Sequence, residues 1–315
     1  MNLCLGGIKL ITGNANRELV KKIGEELGVG LADSEVTHFS DGEINVEIRE
    51  TVRGMDVYIV QPTCSPVNDN IMETLILIDA VKRASAGRIN AVIPYYGYAR
   101  QDRKTRSREP ITAKLVADLL TKAGADRVVT MDLHAGQIQG FFDIPVDHLT
   151  AIPLLAEYFK DILGKNTVVV SPDLGGVTRV RNFANILDLP IAIIEKRRPK
   201  ANVAEVMNVI GDIEGKNVIL VDDMIDTAGT ICEAATVLKR FGAKKVYGCA
   251  THGVLSGPAI ERIANSELER FVITDTIPLP EGIEAPKIDV VSVSTIFAEA
   301  IRRINDNKSV SILFD

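Results

Sequence analysis

The chain has no uninterrupted apolar run near the ~18 residues that cross a bilayer, so no membrane-spanning helix is expected. Met1 to Leu10 is a short apolar stretch broken by Lys9, without a basic leader or a small-residue cleavage site, and no signal peptide is expected. Cysteine is scarce: Cys4, Cys64, Cys232 and Cys249 show no metal-like spacing and fit reduced thiols of a cytoplasmic protein. Positive charge is short as well. With 36 Lys and Arg against 42 Asp and Glu, the formal net charge is -6, which argues against a general nucleic-acid binder.

At 315 residues and 46% hydrophobic, the chain has enough apolar material for one large core or two of ordinary size. Two segments are sharply basic against the acidic background, Arg100 to Arg108 and Lys196 to Lys200. Each follows an apolar strand pattern, which suggests local sites for polyanions.

A pattern of strand and helix occurs twice. Gly54 to Val60 leads through a polar loop into a helix, Asn70 to Ala84, and a strand, Ile89 to Tyr95. Gly215 to Val221 leads through a small-residue loop into a helix ending near Phe241, and a strand, Lys245 to Ala250. Upstream, Ile8 to Thr12 with Arg17 to Leu27 matches Thr167 to Val170 with Thr178 to Ile186. Such alternation predicts an α/β fold of two similar domains related by duplication, each a mainly parallel sheet flanked by helices. The expected domains are 1–148 and 149–315, joined near Asp147 to Pro153.

The richest stretch is Val218 to Thr230. Four apolar residues form a buried strand that delivers Asp222 and Asp223, followed by the loop Asp226, Thr227, Ala228, Gly229 and Thr230. Thr230 to Glu233 reads as a capping box opening a helix whose apolar face is Ile231, Ala234, Ala235, Leu238 and Phe241, with Gly242 as its stop. The free amides at that helix start suit a phosphate. The paired carboxylates suit two sugar hydroxyls or a hydrated Mg²⁺, and would repel each other without a ligand. In the first half Gln61-Pro62-Thr63 stands where the second has the acidic pair. Elsewhere Val128 to His134 reads as a strand that delivers Asp132 and His134 on one side, a pair able to bind a divalent ion or its waters.

The Val218 to Thr230 run resembles the phosphoribosyl-pyrophosphate motif of type I phosphoribosyltransferases and of ribose-phosphate diphosphokinases. In both families the acidic pair holds the ribose 2- and 3-hydroxyls and the loop holds the 5-phosphate. The motif does not choose the reaction. The segment Gln137 to Asp147, with Asp132 and His134 before it, resembles the diphosphokinase pattern, and so does the order of the other motifs from about Ile8 to Phe314. Phe39, Ser40, Asp41, Gly42 and Glu43 resemble that family's adenine-contacting segment, which reaches a neighbouring subunit's site. Tyr95 to Lys104 looks like its ATP loop, with Arg100 and Gln101 facing the nucleotide, Asp102 between, and Arg103 and Lys104 near the phosphates. Ser171 to Gly176 resembles its pyrophosphate loop, where Leu174, Gly175 and Gly176 let amides approach phosphate oxygens and Asp173 takes an ion. Ile193 to Glu205 resembles its catalytic flexible loop, in which Lys196 and Arg198 close over the transferred group and Arg198 also reaches the sugar phosphate.

The resemblance implies the type I phosphoribosyltransferase-like fold and transfer of the β,γ-diphosphoryl group of ATP to the 1-hydroxyl of ribose 5-phosphate, for nucleotide biosynthesis. It implies two Mg²⁺, one near His134 and Asp132 and one near Asp173, and a sugar cradle and nucleotide clamp serving a common cleft. A phosphoribosyltransferase would share the sugar motif but not need the Arg100 to Lys104 loop or the Asp132 and His134 pair. A non-catalytic regulatory relative would carry an interrupted catalytic loop, whereas Lys196 to Glu205 runs through. Thr51, Arg53, Ser309 and Ser311 resemble an anion-sensitive allosteric site between subunits, so phosphate and ADP are expected effectors and a homo-oligomer, a hexamer, the expected assembly. Some members carry Ser at Gly136 and Asn at His148, so a few polar contacts of that site are absent here.

Overall fold

Runs of β-branched residues bounded by polar turns become parallel strands, and the amphipathic stretches between them become helices. The computed structural model describes residues 6–160, 162, 164, 166–197, 206–280 and 282–314. One unit comprises the chain up to Thr150 with Thr276–Pro278 and the segment from Ser292 onward; the other comprises Ala151–Asp275 and Leu279–Val291.

The first unit begins with β1 (Ile8–Thr12) and α1 (Arg17–Leu27). Asn16 caps α1 by accepting from Leu19 N at 3.1 Å, and Gly28 at φ 71 ends it. A hairpin of β2 (Ser34–His38) and β3 (Ile44–Ile48) forms a separate two-stranded sheet. Then follow β4 (Asp56–Val60), α2 (Val67–Arg83), β5 (Arg88–Ile93), α3 (Thr112–Ala123), β6 (Arg127–Met131) and β7 (Val146–Leu149). The sheet order is β1-β4-β5-β6-β7, with every pair parallel. Strands of such a sheet are covered on both faces, and β4 is buried along its whole length.

The second unit runs α4 (Ile152–Lys160), β8 (Thr167–Ser171), α5 (Val177–Leu187), β9 (Ile191–Arg197), β10 (Val206–Ile210), β11 (Asn217–Ile225), α6 (Gly229–Arg240), β12 (Lys245–Gly253), α7 (Ala259–Ala264), β13 (Leu268–Thr274) and β14 (Ile288–Val291). Its sheet order is β10-β9-β8-β11-β12-β13-β14, with β10 antiparallel to β9 and the other pairs parallel. The order β8-β11-β12-β13-β14 retraces β1-β4-β5-β6-β7. Registers agree too, since Ile8 faces Asp56 as Thr167 faces Asn217. Duplication is therefore written in the topology.

The expected split at 148/149 differs at the C-terminal end, because the last helix, α8 (Ser294–Asn305), belongs to the first unit. Ser309 and Ser311 go with it, not with the second half. The reason is a buried anion. Asp56, fully buried on β4, accepts from Arg88 Nε at 2.8 Å, Asn90 Nδ2 at 2.8 Å, Tyr58 Oη at 2.7 Å and Asn305 Nδ2 of α8 at 3.0 Å. Arg88 Nη2 also donates to Ile304 O at 3.0 Å, and Arg302 Nη2 to Glu26 O of α1 at 2.8 Å. Phe297 and Ile301 of α8 are fully buried. The second unit closes in the matching way, with Phe159 of α4 against Phe183 of α5 and Tyr247 of β12.

Three local expectations need correction. α6 starts at Gly229, capped by Ala228 at φ 60 with no side-chain cap bond, so Thr230 opens no capping box; the left-handed Ala228 turns the chain into the helix one residue earlier. Phe241 is 44% exposed and sits past the helix end, where the 3.6-residue spacing no longer holds it to the core. β6 stops at Met131 and Asp132 takes φ 36, so strand alternation does not set the directions of Asp132 and His134.

Burial pushes the Asp56 carboxyl upward, but its bonds from Arg88, Asn305 and Tyr58 outweigh that and hold it below the usual carboxylate range. Its stabilising contribution is therefore present above the unfolded value of about 3.9 and lost as pH falls through the folded value. Asp56→Ala leaves Arg88 and the end of α8 uncompensated and should cost about 3–5 kcal/mol, read as a lower denaturant midpoint at neutral pH. An unchanged midpoint would remove this pair from the account of how α8 is held.

Candidate active site

In the second unit the chain leaves β8 for β9 on one side and returns to β11 on the other. Between β8 and β11 lies the point where strand order reverses, and in open parallel sheets a ligand sits there, beyond the carboxyl ends of the strands. The structure brings two expected motifs to that place. The loop after β8 holds Asp173, Leu174, Gly175 and Gly176, and β11 delivers Asp222 and Asp223 followed by Asp226 to Thr230.

Asp223 is buried, while Asp222 keeps 30% of its side chain exposed. Arg179 Nη1, in the first turn of α5, lies 3.3 Å from Asp222 Oδ1 and 3.3 Å from Asp223 Oδ1. Asp223 N donates to Asp222 Oδ1 at 2.9 Å. Desolvation first, then hydrogen bonding and charge repulsion from Asp223, push the Asp222 carboxyl up to about 7, against the pull of Arg179. Arg179 was not singled out from sequence, because nothing in a one-dimensional reading says which helix faces the end of β11.

The loop after β11 is fixed by bonds from the following segment and α7. Leu255 N donates to Ile225 O at 3.0 Å, Ser256 N to Asp226 O at 3.0 Å and Arg262 Nη1 of α7 to Thr227 O at 2.9 Å. Thr227 and Thr230 are exposed at the start of α6. In the neighbouring loop Asp173 Oδ1 accepts from Gly176 N at 2.9 Å, and Leu174 is 66% exposed. β9 outruns β8, which pairs with it only as far as Ile193, and carries the Lys196 backbone toward the same edge of the sheet. The side chain of Lys196 and the whole of Arg198 lie outside the described residues.

The first unit treats the corresponding loop differently. Between β1 and α1, Asn14 N donates to Glu73 Oε2 at 3.0 Å and Ala15 N to Gln61 Oε1 at 3.1 Å. Glu73 and Gln61 are buried and joined at 2.7 Å, and a Cβ at Gly13 would lie 2.4 Å from Gln61. The polar loop after β4 instead props the segment after β5. Gly97 N donates to Thr63 Oγ1 at 2.6 Å, and a Cβ at Gly97 would meet Thr63 O at 2.4 Å, so only glycine fits.

Beyond that prop Arg100, Gln101, Arg103 and Lys104 are exposed, while Asp102 accepts from Gln137 Nε2 at 2.9 Å. Glu109 closes the basic loop by accepting from Thr105 N, Thr105 Oγ1 and Arg106 N at 2.8, 2.7 and 2.8 Å. Asp132 is buried and His134 exposed on the turn after β6. Phe39 is 56% exposed at the tip of the β2–β3 hairpin, which Gly42 at φ 93 and the bond from Glu43 N to Asp41 Oδ1 at 3.1 Å shape. Thr51, Arg53, Ser309 and Ser311 are exposed in this unit, and Ser309 Oγ lies 2.7 Å from Ser311 Oγ.

Among the described residues no three His, Cys, Asp or Glu side chains converge to hold a metal. Asp173, with Asp132 and His134 in the other unit, offers one or two ligands apiece. That suits Mg²⁺, which keeps waters and takes its remaining oxygens from substrate phosphates. Also among the described residues, no helix is long and apolar enough to cross a membrane.

Two family models match the chain: the N-terminal domain of ribose phosphate pyrophosphokinase over residues 8–124, and a phosphoribosyl synthetase-associated domain over residues 196–315. The ribose-phosphate pyrophosphokinase of Caldanaerobacter subterraneus subsp. tengcongensis is 66% identical over 308 residues, covering 98% of each chain. That of Clostridium perfringens is 65% identical over 310 residues, covering 98% of this chain and 97% of its own. A crystal structure of phosphoribosylpyrophosphate synthetase from Mycobacterium smegmatis superposes with a TM-score of 0.90 at 45% identity, covering 96% of this chain and 100% of that one.

The acidic pair gives a pH signature. Folded Asp222 keeps its proton up to about 7, whereas an unfolded carboxyl releases it near about 3.9. This group's favourable contribution is thus fully present below the lower value and lost as pH rises through the upper one. Asp222→Asn has nothing to ionise, and should raise the Tm of ligand-free protein more at about pH 8 than at about pH 4. Equal shifts at both values would show that the folded Asp222 carboxyl is not raised.

Proposed function

Since the chain belongs to the ribose-phosphate pyrophosphokinase family, we propose a division of labour in which its second unit holds the sugar phosphate and its first the nucleotide. The reaction moves the β,γ-diphosphoryl group of ATP to the 1-hydroxyl of ribose 5-phosphate, giving 5-phosphoribosyl 1-diphosphate and AMP, a step that feeds nucleotide biosynthesis. The observation that carries the assignment of residues is the acidic pair of β11 beside the exposed threonines at the start of α6. Carboxylates accept from vicinal hydroxyls, and helix-start amides with Thr227 and Thr230 hydroxyls bind a phosphate.

In this reading Asp222 and Asp223 accept from the ribose 2- and 3-hydroxyls, and Asp226 to Thr230 hold the 5-phosphate. The 1-hydroxyl oxygen attacks the β-phosphorus, the bond to the α,β-bridging oxygen breaks, AMP leaves with that electron pair, and the hydroxyl proton is released. Such transfer is mainly positioning and charge stabilisation. Lys196 and Arg198 offset charge on the β-phosphoryl oxygens and the leaving oxygen. Asp173 to Gly176 take the transferred diphosphate. Phe39, Asp41, Gly42 and Glu43 meet adenine, and Arg100 to Lys104 with His134 meet the nucleotide. His134 with Asp132, and Asp173, would hold two Mg²⁺, which would supply charge neutralisation to the phosphates.

We further propose a cytoplasmic homo-oligomer, a hexamer, in which an exposed aromatic at a hairpin tip, Phe39, serves a neighbouring subunit's nucleotide. Phosphate and ADP act as effectors at Thr51, Arg53, Ser309 and Ser311, whose exposed hydroxyls and guanidinium suit an anion. Free thiols at Cys64, Cys232 and Cys249 are compatible with a reducing compartment.

Following a β-phosphorus label from ATP into the sugar product tests the reaction directly, and label remaining in nucleotide alone defeats it. Lys196→Ala should lower kcat at least ~100-fold with little change in KM for ribose 5-phosphate; near-normal kcat would remove Lys196 from the chemistry. The double substitution Asp222→Asn with Asp223→Asn should weaken ribose 5-phosphate binding in calorimetry, and unchanged affinity would count against the sugar assignment.

A further inference from the structure

The turn that carries Asp132 and His134 is held in an unusual way. β6 ends at Met131, and Asp132 takes φ 36, a backbone conformation that L side chains rarely adopt and that persists only when the surroundings over-determine it. Asp132 N donates to Leu149 O at 3.0 Å, which extends the β6–β7 ladder by one rung. The next amide bonds to a side chain. Leu133 N donates to Nε2 of His148 at 2.8 Å, and His148 lies on β7 opposite Thr130. An imidazole thus stands in for a strand carbonyl where the ladder stops. To accept there, Nε2 carries no proton, so the neutral ring holds its proton on Nδ1. Gln139 Nε2, which donates to Gly136 O at 3.0 Å, lies 3.2 Å from Nδ1, a contact that is not a hydrogen bond while Nδ1 holds the proton.

We infer that His148 is a positioning residue for the reaction: it fixes, through the Leu133 amide, the turn that aims Asp132 and His134 at the nucleotide and its ion. The inference rests on the reading of those two residues given above. His148 touches neither substrate nor ion. It determines where the preceding strand stops being a strand, and partners of this kind behind metal-binding residues typically change affinity or activity about 10–100-fold when lost.

The test uses the full-length protein and two independent readouts. In hydrogen exchange without ligand or metal, His148→Leu should lose protection in the 132–135 segment, and His148→Gln, whose carboxamide oxygen can accept, should recover it. In kinetics His148→Leu should raise KM for ATP about 10–100-fold and leave KM for ribose 5-phosphate unchanged, with His148→Gln intermediate. Unchanged exchange and KM in His148→Leu, while His134→Ala raises KM for ATP, overturn the inference and leave the site reading intact. An ATP KM untouched by His134→Ala overturns both. Exchange that rises across the whole first unit, instead of at 132–135, shows a general structural role and overturns it as well.

Discussion

Two carboxylates at the end of a buried strand, with one guanidinium between them, are the constraint around which the second unit is arranged. Asp222 and Asp223 repel each other, and Arg179 at 3.3 Å from each offsets only part of that. The arrangement needs a sheet that reverses its strand order between β8 and β11, because only there does the first turn of a helix after one strand face the end of the next. A small-residue loop follows the pair and leaves the helix-start amides of α6 open to an anion. The ligand-free protein carries electrostatic tension here, which a pair of hydroxyl donors would relieve.

Much of this was legible along the chain. Continuous apolar runs marked the buried parallel strands, and β1, α1, β8 and α5 fall where their patterns place them. The repeat of strand and helix spacing foretold the retraced strand order. The paired carboxylates and the loop after them were visible because their chemistry is local. The misses have one cause in common: they depend on neighbours in space. Arg179, Arg262 and His148 act on segments distant in sequence, and a lone Arg or His on a helix or strand gives no hint of its target. The apolar approach to Asp132 predicts a strand through it, yet β7 supplies acceptors where the chain bends one residue earlier. The capping box at Thr230 fitted a local rule, but the loop enters the helix through a left-handed Ala228. The ownership of α8 is decided by Asp56, whose need for buried donors cannot be seen without the fold.

The two units show one topology put to different uses. In the second, the loops after β8 and β11 carry exposed threonines and short residues suited to anions. In the first, the loop after β4 turns inward, and Thr63 supports Gly97 beneath a basic segment that Glu109 ties off. The scaffold stays constant while the side chains at the carboxyl ends of equivalent strands change. The same economy explains why each unit takes its closing helix from the stretch of chain that follows the other unit's last strand. A cut between the halves therefore cannot give two complete folds.

The amides of the β1–α1 loop already have an anion of their own. Where its counterpart in the second unit is open to solvent at Leu174, this loop is saturated by the Glu73 carboxylate and the Gln61 carboxamide, both sealed from water. The duplicate has internalised its counter-ion. Reopening it for an external phosphate would take at least two coordinated changes, since removing Glu73 alone leaves Gln61 filling the space over Gly13. The divergence of the two halves thus works as a ratchet, and drift by single steps does not readily return this loop of the first half to an open anion receptor.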